Sequence, residues 1–213
     1  MRRVFVDPAA PQRDAIDEAA KWIRLGCVAA IPTDTLYGLA ADPFSAAAVA
    51  RVFAIKGRAA ARALPLVAAD VEQIVLSLGP LPDMARRLGE HFWPGPLTIL
   101  MPAVASLARE VSGGTGRVGV RVPADPIARA VCVACGHPVT ATSANVTGEP
   151  APATANEVER TLGDRIEFLL DAGATRGGAP STIVDLTGGE PRLVRSGALS
   201  WDEIHSWLDI ARA

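Results

Sequence analysis

Hydrophobic positions along the chain alternate between stretches with helical spacing and short runs that are typical of buried strands. Helical spacing predicts helices over 12–25 and 126–135, and start signals predict further helices after Ser45, Asp70 and Pro82. The predicted strands are the apolar runs at 27–31, 66–68, 97–101, 118–122, 138–142, 168–170, 182–186 and 192–195. Because several of these strands follow one another without a helix between them, the pattern predicts an α/β fold with a mixed parallel/antiparallel sheet.

Two capping boxes predict helix starts in the last third of the chain. The two boxes are Thr154 with Glu157 and Ser200 with Glu203. At this spacing, the side chain of each residue accepts a hydrogen bond from the backbone N–H of the other. Neither an internal repeat nor a low-complexity linker interrupts the pattern. The length suits one large domain or a tight two-lobed one, and we treat 1–213 as a single domain.

Composition narrows the class of protein. The 213 residues carry a formal net charge of -2, so there is no general basic field for nucleic acid, although a local basic groove stays open. Three cysteines, Cys27, Cys132 and Cys135, are too few for a disulfide framework and favour a reducing compartment. The apolar run near the start is too short for a signal peptide, and no stretch approaches the length of a membrane-spanning helix. We therefore expect a soluble, cytoplasmic protein without membrane contact.

Five polar clusters lie at or near the ends of predicted strands or helices, and ligands gather at strand ends in open α/β sheets. They are 32–38, 56–58, Arg117 with Arg121, 143–145, and Ser181–Thr182 with Arg195. Their cations and small hydroxyl or amide side chains together suit a polyanion such as a nucleoside triphosphate. Taken singly, Lys-Gly-Arg is more often a helix cap and Ser-Ala-Asn a turn, so the prediction rests on all five clusters. Arg121, inside an apolar strand, needs a partner.

Several catalytic motifs are excluded by spacing or context. The chain has no Gly-x-x-x-x-Gly-Lys-Ser/Thr phosphate loop. Gly114, Gly116 and Gly119 match Gly-x-Gly-x-x-Gly, but they precede a predicted strand and open no helix, which favours a flexible turn. Cys132 and Cys135 fall on a predicted helix face and are expected in the core. The three histidines are scattered, so neither a Ser-His-Asp triad nor a zinc cluster is predicted.

Seven motifs occur in order between about Val4 and Ile204. They are Pro32-Thr-Asp-Thr-Leu-Tyr-Gly-Leu39, Lys56-Gly-Arg58, Trp93-Pro-Gly-Pro-Leu-Thr98, Val120-Arg-Val-Pro123, Thr142-Ser-Ala-Asn145, Pro180-Ser-Thr-Ile-Val-Asp185 and Leu193-Val-Arg-Ser-Gly-Ala198. This set resembles the YrdC family, whose members are L-threonylcarbamoyladenylate synthases. The resemblance implies a twisted, open mixed sheet flanked by helices, with a concave basic surface. It also implies synthesis of threonylcarbamoyl-AMP and pyrophosphate from ATP, bicarbonate and L-threonine, with Mg²⁺ expected as cofactor.

The resemblance also implies roles for nine residues, each carried over from a matching motif. The residues expected to bind ATP or take part in catalysis are Lys56, Arg58, Ser143, Asn145 and Arg195. The residues expected to bind threonine are Thr35, Tyr37, Arg121 and Ser181. Arg121 is expected to hold the carboxylate of the amino acid as a bidentate pair. No metal-ligating side chain is identified.

The family resemblance further implies which partners use the product. A threonylcarbamoyl transferase complex is expected to pass the group to the adenosine beside the anticodon of tRNAs that read ANN codons, and direct tRNA contact stays open.

The sequence departs from the family pattern in a few places. Leu64 and Ala69 stand where some members have Asn and His, and the loop 59–63 is longer. The extra C-terminal domain of longer members is not found, so we expect the short form of the family.

Two alternatives remain beside the adenylate-forming enzyme. One is a non-catalytic RNA-binding module of the same fold. The other is a paralogue that makes a different carbamoyl adenylate, which the departures at Leu64 and Ala69 keep open. The combined set of phosphate-type and threonine-type residues favours the enzyme, because an RNA-binding module has no need for the latter.

Overall fold

The computed structural model describes residues 1–57 and 62–212, and within these ranges helices and strands alternate as the hydrophobic pattern predicts. The helices are α1 (Arg13–Arg24), α2 (Ala46–Lys56), α3 (Val71–Leu78), α4 (Asp83–Phe92), α5 (Pro126–Cys135), α6 (Ala155–Leu162) and α7 (Trp201–Arg212). A 3₁₀ helix spans Arg109–Ser112. None of the helices in the described ranges is long and apolar enough to cross a membrane.

Local signals determine where the helices begin and end. The hydroxyl of Ser45 accepts a hydrogen bond from a backbone N–H in the first turn of α2, and Gly57 ends this helix in the left-handed region at a φ of 57°. The capping box of Thr154 and Glu157 is complete at the start of α6. Because both ends of α2 are fixed, its last residue, Lys56, has a defined position in the fold.

The strands form two mixed sheets. They are β1 (Arg2–Phe5), β2 (Ala29–Ile31), β3 (Gly38–Ala40), β4 (Leu66–Val67), β5 (Leu97–Pro102), β6 (Arg117–Arg121), β7 (Val139–Thr140), β8 (Thr142–Ser143), β9 (Phe168–Asp171), β10 (Thr182–Asp185) and β11 (Arg192–Arg195). The first sheet has the order β1-β9-β2-β3-β8 and the second the order β11-β10-β5-β6-β4-β7. Each contains parallel and antiparallel pairs, so the predicted mixed α/β class is confirmed, with the strands divided between two sheets.

The chain crosses between the sheets at the predicted strand 138–142. β7 pairs with β4 in the second sheet, and β8 pairs with β3 in the first, so the crossing occurs at Ala141. The apolar run itself is continuous, and hydrophobic periodicity therefore predicts one strand where the structure has two. The crossing places Ser143, in β8, where residues of both sheets come together.

Two strands escape prediction from the hydrophobic pattern. β1 is an edge strand of the first sheet, and most of its residues are exposed, so it lacks a clear alternation. β3 has only three residues and begins with Gly38, which has a low strand propensity.

Two hydrophobic clusters hold the layers together. In one, α1 and α5 pack against each other, α1 also packs against β2 and β9 of the first sheet, and α5 packs against β4 of the second. Ile23, Val131 and Phe168 are fully buried in this cluster. In the other, Leu88 of α4 and Val120 of β6 belong to a larger cluster that spans both sheets. The polar ends of the strands are thus carried on a closely packed frame, which holds their side chains in fixed positions.

Candidate active site

A cavity of about 460 Å³ is lined by residues from both sheets. Its volume falls within the range of roughly 300–1,000 Å³ that is usual for small-molecule sites. The polar residues in its wall are Thr33, Thr35, Tyr37, Lys56, Arg62, Thr98, Arg121, Thr142, Ser143, Asn145, Thr147, Ser181 and Arg195. They come from loops, strands and one helix end that are far apart in sequence, as the five-cluster prediction expects.

The structure brings together eight of the nine residues assigned a role by sequence. Those in the cavity wall are Thr35, Tyr37, Lys56, Arg121, Ser143, Asn145, Ser181 and Arg195. The ninth, Arg58, lies outside the described residues. Arg117, from the same predicted cluster as Arg121, is not part of the wall and instead forms an ion pair with Asp185 at 2.5 Å.

Lys56 is buried and holds the Ser-Ala-Asn turn. Its ammonium donates hydrogen bonds to the carbonyl oxygens of Ser143 and Asn145, at 2.6 and 2.9 Å, and to Oδ1 of Asn145 at 3.0 Å. The hydroxyl of Ser143 donates to the same Oδ1 at 2.6 Å. Only 3% of Lys56 is exposed, and these oxygens offset the cost of burying its charge. One cation thereby fixes the geometry of the two neighbouring predicted ATP residues.

Arg121 is the strand arginine that requires a partner, and the partner is Asp34. Nη2 of Arg121 lies 3.0 Å from Oδ1 of Asp34, and the side chains are 8% and 9% exposed. Asp34 also accepts a hydrogen bond from the backbone N–H of Ala124 at 3.3 Å. Nη1 of Arg121 and Oδ1 of Asp34 are both buried without a hydrogen-bond partner among residues 1–57 and 62–212, so the 3.0 Å contact is an ion pair without hydrogen-bond alignment. Burial lowers the pKa of Arg121, and the charge of Asp34 opposes this shift.

Ser181 is held by two neighbours in the cavity wall. Nη2 of Arg195 donates to the carbonyl oxygen and to the hydroxyl of Ser181, at 2.7 and 3.1 Å. The hydroxyl of Thr98 lies 2.8 Å from that of Ser181. Partial burial lowers the pKa of Arg195, and the positive charge of Arg121 lowers it further. These two guanidinium groups therefore repel each other across the cavity, and an anion between them would relieve that repulsion.

The turn between β2 and β3 is built by its own side chains. The hydroxyl of Thr33 accepts hydrogen bonds from the backbone N–H groups of Thr35 and Leu36, at 3.2 and 3.3 Å, and donates to the carbonyl of Leu36 at 2.7 Å. Tyr37 donates its hydroxyl to the carbonyl of Gly173 at 2.8 Å and accepts from the N–H of Ala172 at 3.0 Å. The Tyr37 hydroxyl is therefore engaged by the 172–173 backbone, although the residue lines the cavity.

The charge of the cavity wall has one sign. Its cations are Lys56, Arg62, Arg121 and Arg195, and none of the described lining residues is Asp, Glu or His. Sequence reasoning missed Arg62, which lies within the long Ala-rich loop, and Thr98, which falls in a predicted strand at the end of one of the seven motifs. Alternation along β5 is the signal that could have identified Thr98, because this small polar residue interrupts an otherwise apolar strand.

The two departures from the family pattern lie outside the cavity wall. Leu64 is fully buried, and its N–H donates to the carbonyl of Val111 at 2.9 Å. Ala69 is also buried, and its N–H donates to Oε1 of Gln73 at 2.9 Å. Both residues serve packing and backbone contacts in this structure.

Comparison with known proteins identifies relatives for most of the chain. A family model for Sua5, YciO and YrdC proteins, described as telomere recombination, matches residues 21–197. The threonylcarbamoyl-AMP synthase of Pyrococcus abyssi is 40% identical over 197 residues, covering 90% of this chain and 58% of that protein. The threonylcarbamoyl-AMP synthase of Halorhodospira halophila is 41% identical over 155 residues, covering 73% of this chain and 81% of that protein.

A solved structure matches nearly the whole fold. The crystal structure of P. abyssi Sua5 in complex with L-threonine superposes with a TM-score of 0.92 and 37% sequence identity. The match covers 97% of this chain and 60% of that one. The chain thus spans less than two thirds of the P. abyssi protein.

Proposed function

The chain belongs to the Sua5/YciO/YrdC family, and from this premise we propose that it makes L-threonylcarbamoyl-AMP and pyrophosphate from ATP, bicarbonate and L-threonine. The observation that supports the proposal most directly is the cavity, whose wall carries four described cations and several hydroxyl groups without a described acidic side chain. Relatives at 40% and 41% identity are named threonylcarbamoyl-AMP synthases, and P. abyssi Sua5 was crystallised with L-threonine.

We propose that two sets of side chains bind the two larger substrates. The triphosphate of ATP would contact Arg195 and the corner of Lys56, Ser143 and Asn145, with Arg58 expected beside them from its motif. Threonine would contact the wall formed by Thr35, Tyr37, Arg121 and Ser181. The buried Nη1 of Arg121 supports this assignment, because a substrate carboxylate would satisfy that donor while Asp34 keeps Nη2.

The proposed reaction needs positioning more than a protein nucleophile. Bicarbonate takes up a proton and loses water to give CO₂. The ammonium group of threonine loses a proton, and the resulting amine attacks the carbon of CO₂ and releases a second proton to solvent, which gives the carbamate. A carbamate oxygen then attacks the α-phosphorus of ATP, and the bond from that phosphorus to the pyrophosphate oxygen breaks. The cations of the wall would hold the reactants in line and neutralise the charge on the leaving pyrophosphate.

Mg²⁺ belongs to the proposal as an ion carried by the triphosphate. The described wall offers the neutral oxygens of Ser143 and Asn145 but no carboxylate, and Mg²⁺ is often held mainly by substrate phosphates. When bound, the ion would neutralise phosphate charge. The protein side chains would then orient the phosphates around it.

The use of the product is a further part of the proposal. We propose that a separate threonylcarbamoyl transferase complex takes the adenylate to tRNA in the cytoplasm. Measurement of tRNA binding tests direct contact with this chain. The net charge of -2 does not attract phosphate, whereas the described cations of the cavity wall form a local positive surface that does.

Mass spectrometry of the reaction mixture tests the proposed activity. We expect threonylcarbamoyl-AMP and pyrophosphate only when ATP, bicarbonate and threonine are all present. Omission of threonine, or its replacement by serine, should remove most of the product. Equal pyrophosphate release without an amino acid would contradict the threonine assignment, and tRNA binding without any adenylate would favour the RNA-binding alternative.

A pair of arginines on β11 provides a matched control. We expect Arg195→Met to lower the rate of product formation by roughly a hundredfold, as for loss of one preorganised charge-stabilising donor. Arg192 lies on the same strand but is not part of the cavity wall, so Arg192→Met should retain the wild-type rate. Equal losses in the two variants would remove Arg195 from the proposed site.

A further inference from the structure

Thr98 has a position in the wall that neither its motif nor the assigned roles explain. It lies on β5, is 2% exposed, and its hydroxyl contacts the hydroxyl of Ser181 at 2.8 Å. β5 pairs in parallel with β10 so that Thr98 lies opposite Ile183, two residues after Ser181. The sheet register therefore brings the two hydroxyl groups together.

The direction of this hydrogen bond follows from counting donors and acceptors. Arg195 is always a donor, and its Nη2 donates to the hydroxyl oxygen of Ser181 at 3.1 Å. The hydroxyl of Thr98 forms no other hydrogen bond among residues 1–57 and 62–212. A buried hydroxyl proton without an acceptor is unfavourable, so the satisfied arrangement has Thr98 donating to Ser181. Ser181 then accepts from both neighbours, and its own proton points to a ligand in the cavity.

The methyl group of Thr98 fixes the side-chain rotamer that this arrangement needs. A Cβ atom at Gly119, on the antiparallel neighbour β6, would lie 3.0 Å from the methyl carbon of Thr98 and 3.2 Å from Leu100. The absence of a side chain at Gly119 thus makes room for the methyl group. With the methyl seated there, the hydroxyl of Thr98 points to Ser181.

From these contacts we infer that Thr98 is a positioning residue that orients the hydroxyl of Ser181 as a hydrogen-bond donor to the bound amino acid. The inference rests on the proposed function, because it assigns threonine to this part of the cavity. Thr98 acts through Ser181 and is not itself a ligand of the substrate. Thr98, a strand residue, therefore determines the direction in which the hydroxyl of Ser181, a loop residue, donates its hydrogen bond.

Isothermal titration of threonine into the purified protein tests this inference. We expect Thr98→Val, which keeps the shape and removes the hydroxyl, to raise the dissociation constant for threonine roughly tenfold, the loss expected for one fixed hydrogen bond. Affinity for ATP should stay within about twofold, because Arg195 keeps its bonds to the Ser181 carbonyl. Thr98→Ser retains the hydroxyl but lacks the methyl group that fixes its rotamer, so we expect this variant to bind threonine more tightly than Thr98→Val and more weakly than the wild type.

A double-mutant cycle separates positioning from direct contact. In the Ser181→Ala background, Thr98→Val should have no further effect on threonine affinity, since its action passes through Ser181. Thr161→Val, which removes a threonine hydroxyl on α6 outside the cavity, serves as the control and should leave threonine affinity unchanged.

The following results would contradict the inference about Thr98, the proposed function, or both. Full additivity in the Ser181→Ala background would overturn the inference, as would a Thr98→Ser variant as weak as Thr98→Val. If the wild-type protein binds threonine but yields no adenylate, the proposed function is contradicted, and the titrations of the Thr98 variants still test the inference about Thr98. Wild-type protein that does not bind threonine would overturn both.

Discussion

Two buried cations in the cavity wall are partnered in opposite ways. Within the described part of the chain, the ammonium of Lys56 lies at hydrogen-bond distance from two oxygens of Asn145, at 2.9 and 3.0 Å, and from two of Ser143, at 2.6 and 3.5 Å. The guanidinium of Arg121 faces the single carboxylate of Asp34, and its buried Nη1 has no hydrogen-bond partner within the described part of the chain. An ammonium has three donors and a guanidinium has five. The fold therefore satisfies Lys56, whereas Arg121 retains capacity for a ligand.

This difference shows that equal burial does not imply an equal role. For Lys56 to contact a phosphate oxygen, the ammonium has to exchange at least one of its protein bonds or share a donor. Arg121 can bind a carboxylate without giving up Asp34, because the two anions would use different nitrogens. We therefore regard Lys56 first as the residue that builds the wall, and Arg121 as the residue that the fold holds ready for a substrate.

The largest effect is expected from breaking the ion pair of Arg121. Asp34→Ala leaves a buried guanidinium without a counter-charge, and we expect the free energy of unfolding to fall by about 3–5 kcal/mol. Urea denaturation measures this change. Asp17→Ala is the control, because Asp17 pairs with Arg13 at an exposed site and should change stability by about 0–1 kcal/mol. Similar losses in both variants would show that the Asp34 pair is no stronger than a surface pair.

Removal of Lys56 tests the other half of the comparison. Lys56→Met leaves buried carbonyl and amide oxygens without their donor, and we expect a loss of about 3 kcal/mol of unfolding free energy. Lys21, the only other lysine, is exposed on α1, and Lys21→Met should change stability by less than about 0.5 kcal/mol. A Lys56→Met variant as stable as the wild type would mean that the ammonium does not hold the turn.

Replacement of Arg121 by lysine sharpens the comparison without removing the charge. Lysine can still pair with Asp34, but it lacks the second arm of the fork. We expect threonine affinity, measured by calorimetry, to fall roughly tenfold to a hundredfold, as for loss of a hydrogen bond to a charged group. Stability should fall by no more than about 1 kcal/mol. Unchanged threonine affinity would show that Nη1 does not contact the substrate.

The comparison also shows how far the sequence alone could lead. Motifs identified the residues of the wall, because Lys56, Ser143 and Arg121 each stand at a strand or helix end with a recognisable local pattern. Local patterns also predicted most helices, since caps such as Ser45 act within one turn. These features depend on neighbours in sequence, and such neighbours are visible in one chain.

Contacts between distant residues could not be predicted in this way. The partner of Arg121 is Asp34, which is 87 positions away, and no charge pattern in the sequence distinguishes it from other carboxylates. The division of 138–142 between two sheets depends on pairing with β4 and β3, and not on the composition of the run. The alternation along β5 could have identified Thr98 as a residue of interest, but its contact with Ser181 depends on the register between β5 and β10.

The smallest effect is expected at Tyr37. Like the ammonium of Lys56, the hydroxyl of Tyr37 forms its hydrogen bonds with other groups of the protein. Tyr37→Phe leaves the N–H of Ala172 and the carbonyl of Gly173 without this partner, at a cost of about 1–2 kcal/mol in unfolding free energy. Threonine affinity should change little, because the hydroxyl points to the backbone and away from a ligand. Urea denaturation and calorimetry measure the two quantities.

The pH dependence of this effect has a defined sign. Burial raises the pKa of Tyr37 from 10.0 to about 12, so the folded state holds the phenolic proton more tightly than the unfolded state. The stabilising contribution of the hydroxyl is therefore complete below pH 10 and is lost as the pH rises towards 12. Tyr37 is the only tyrosine in the chain, so tyrosinate absorbance reports on it alone. Titration of the folded protein near pH 10 would mean that the hydroxyl is exposed to solvent and does not tether the 172–173 backbone.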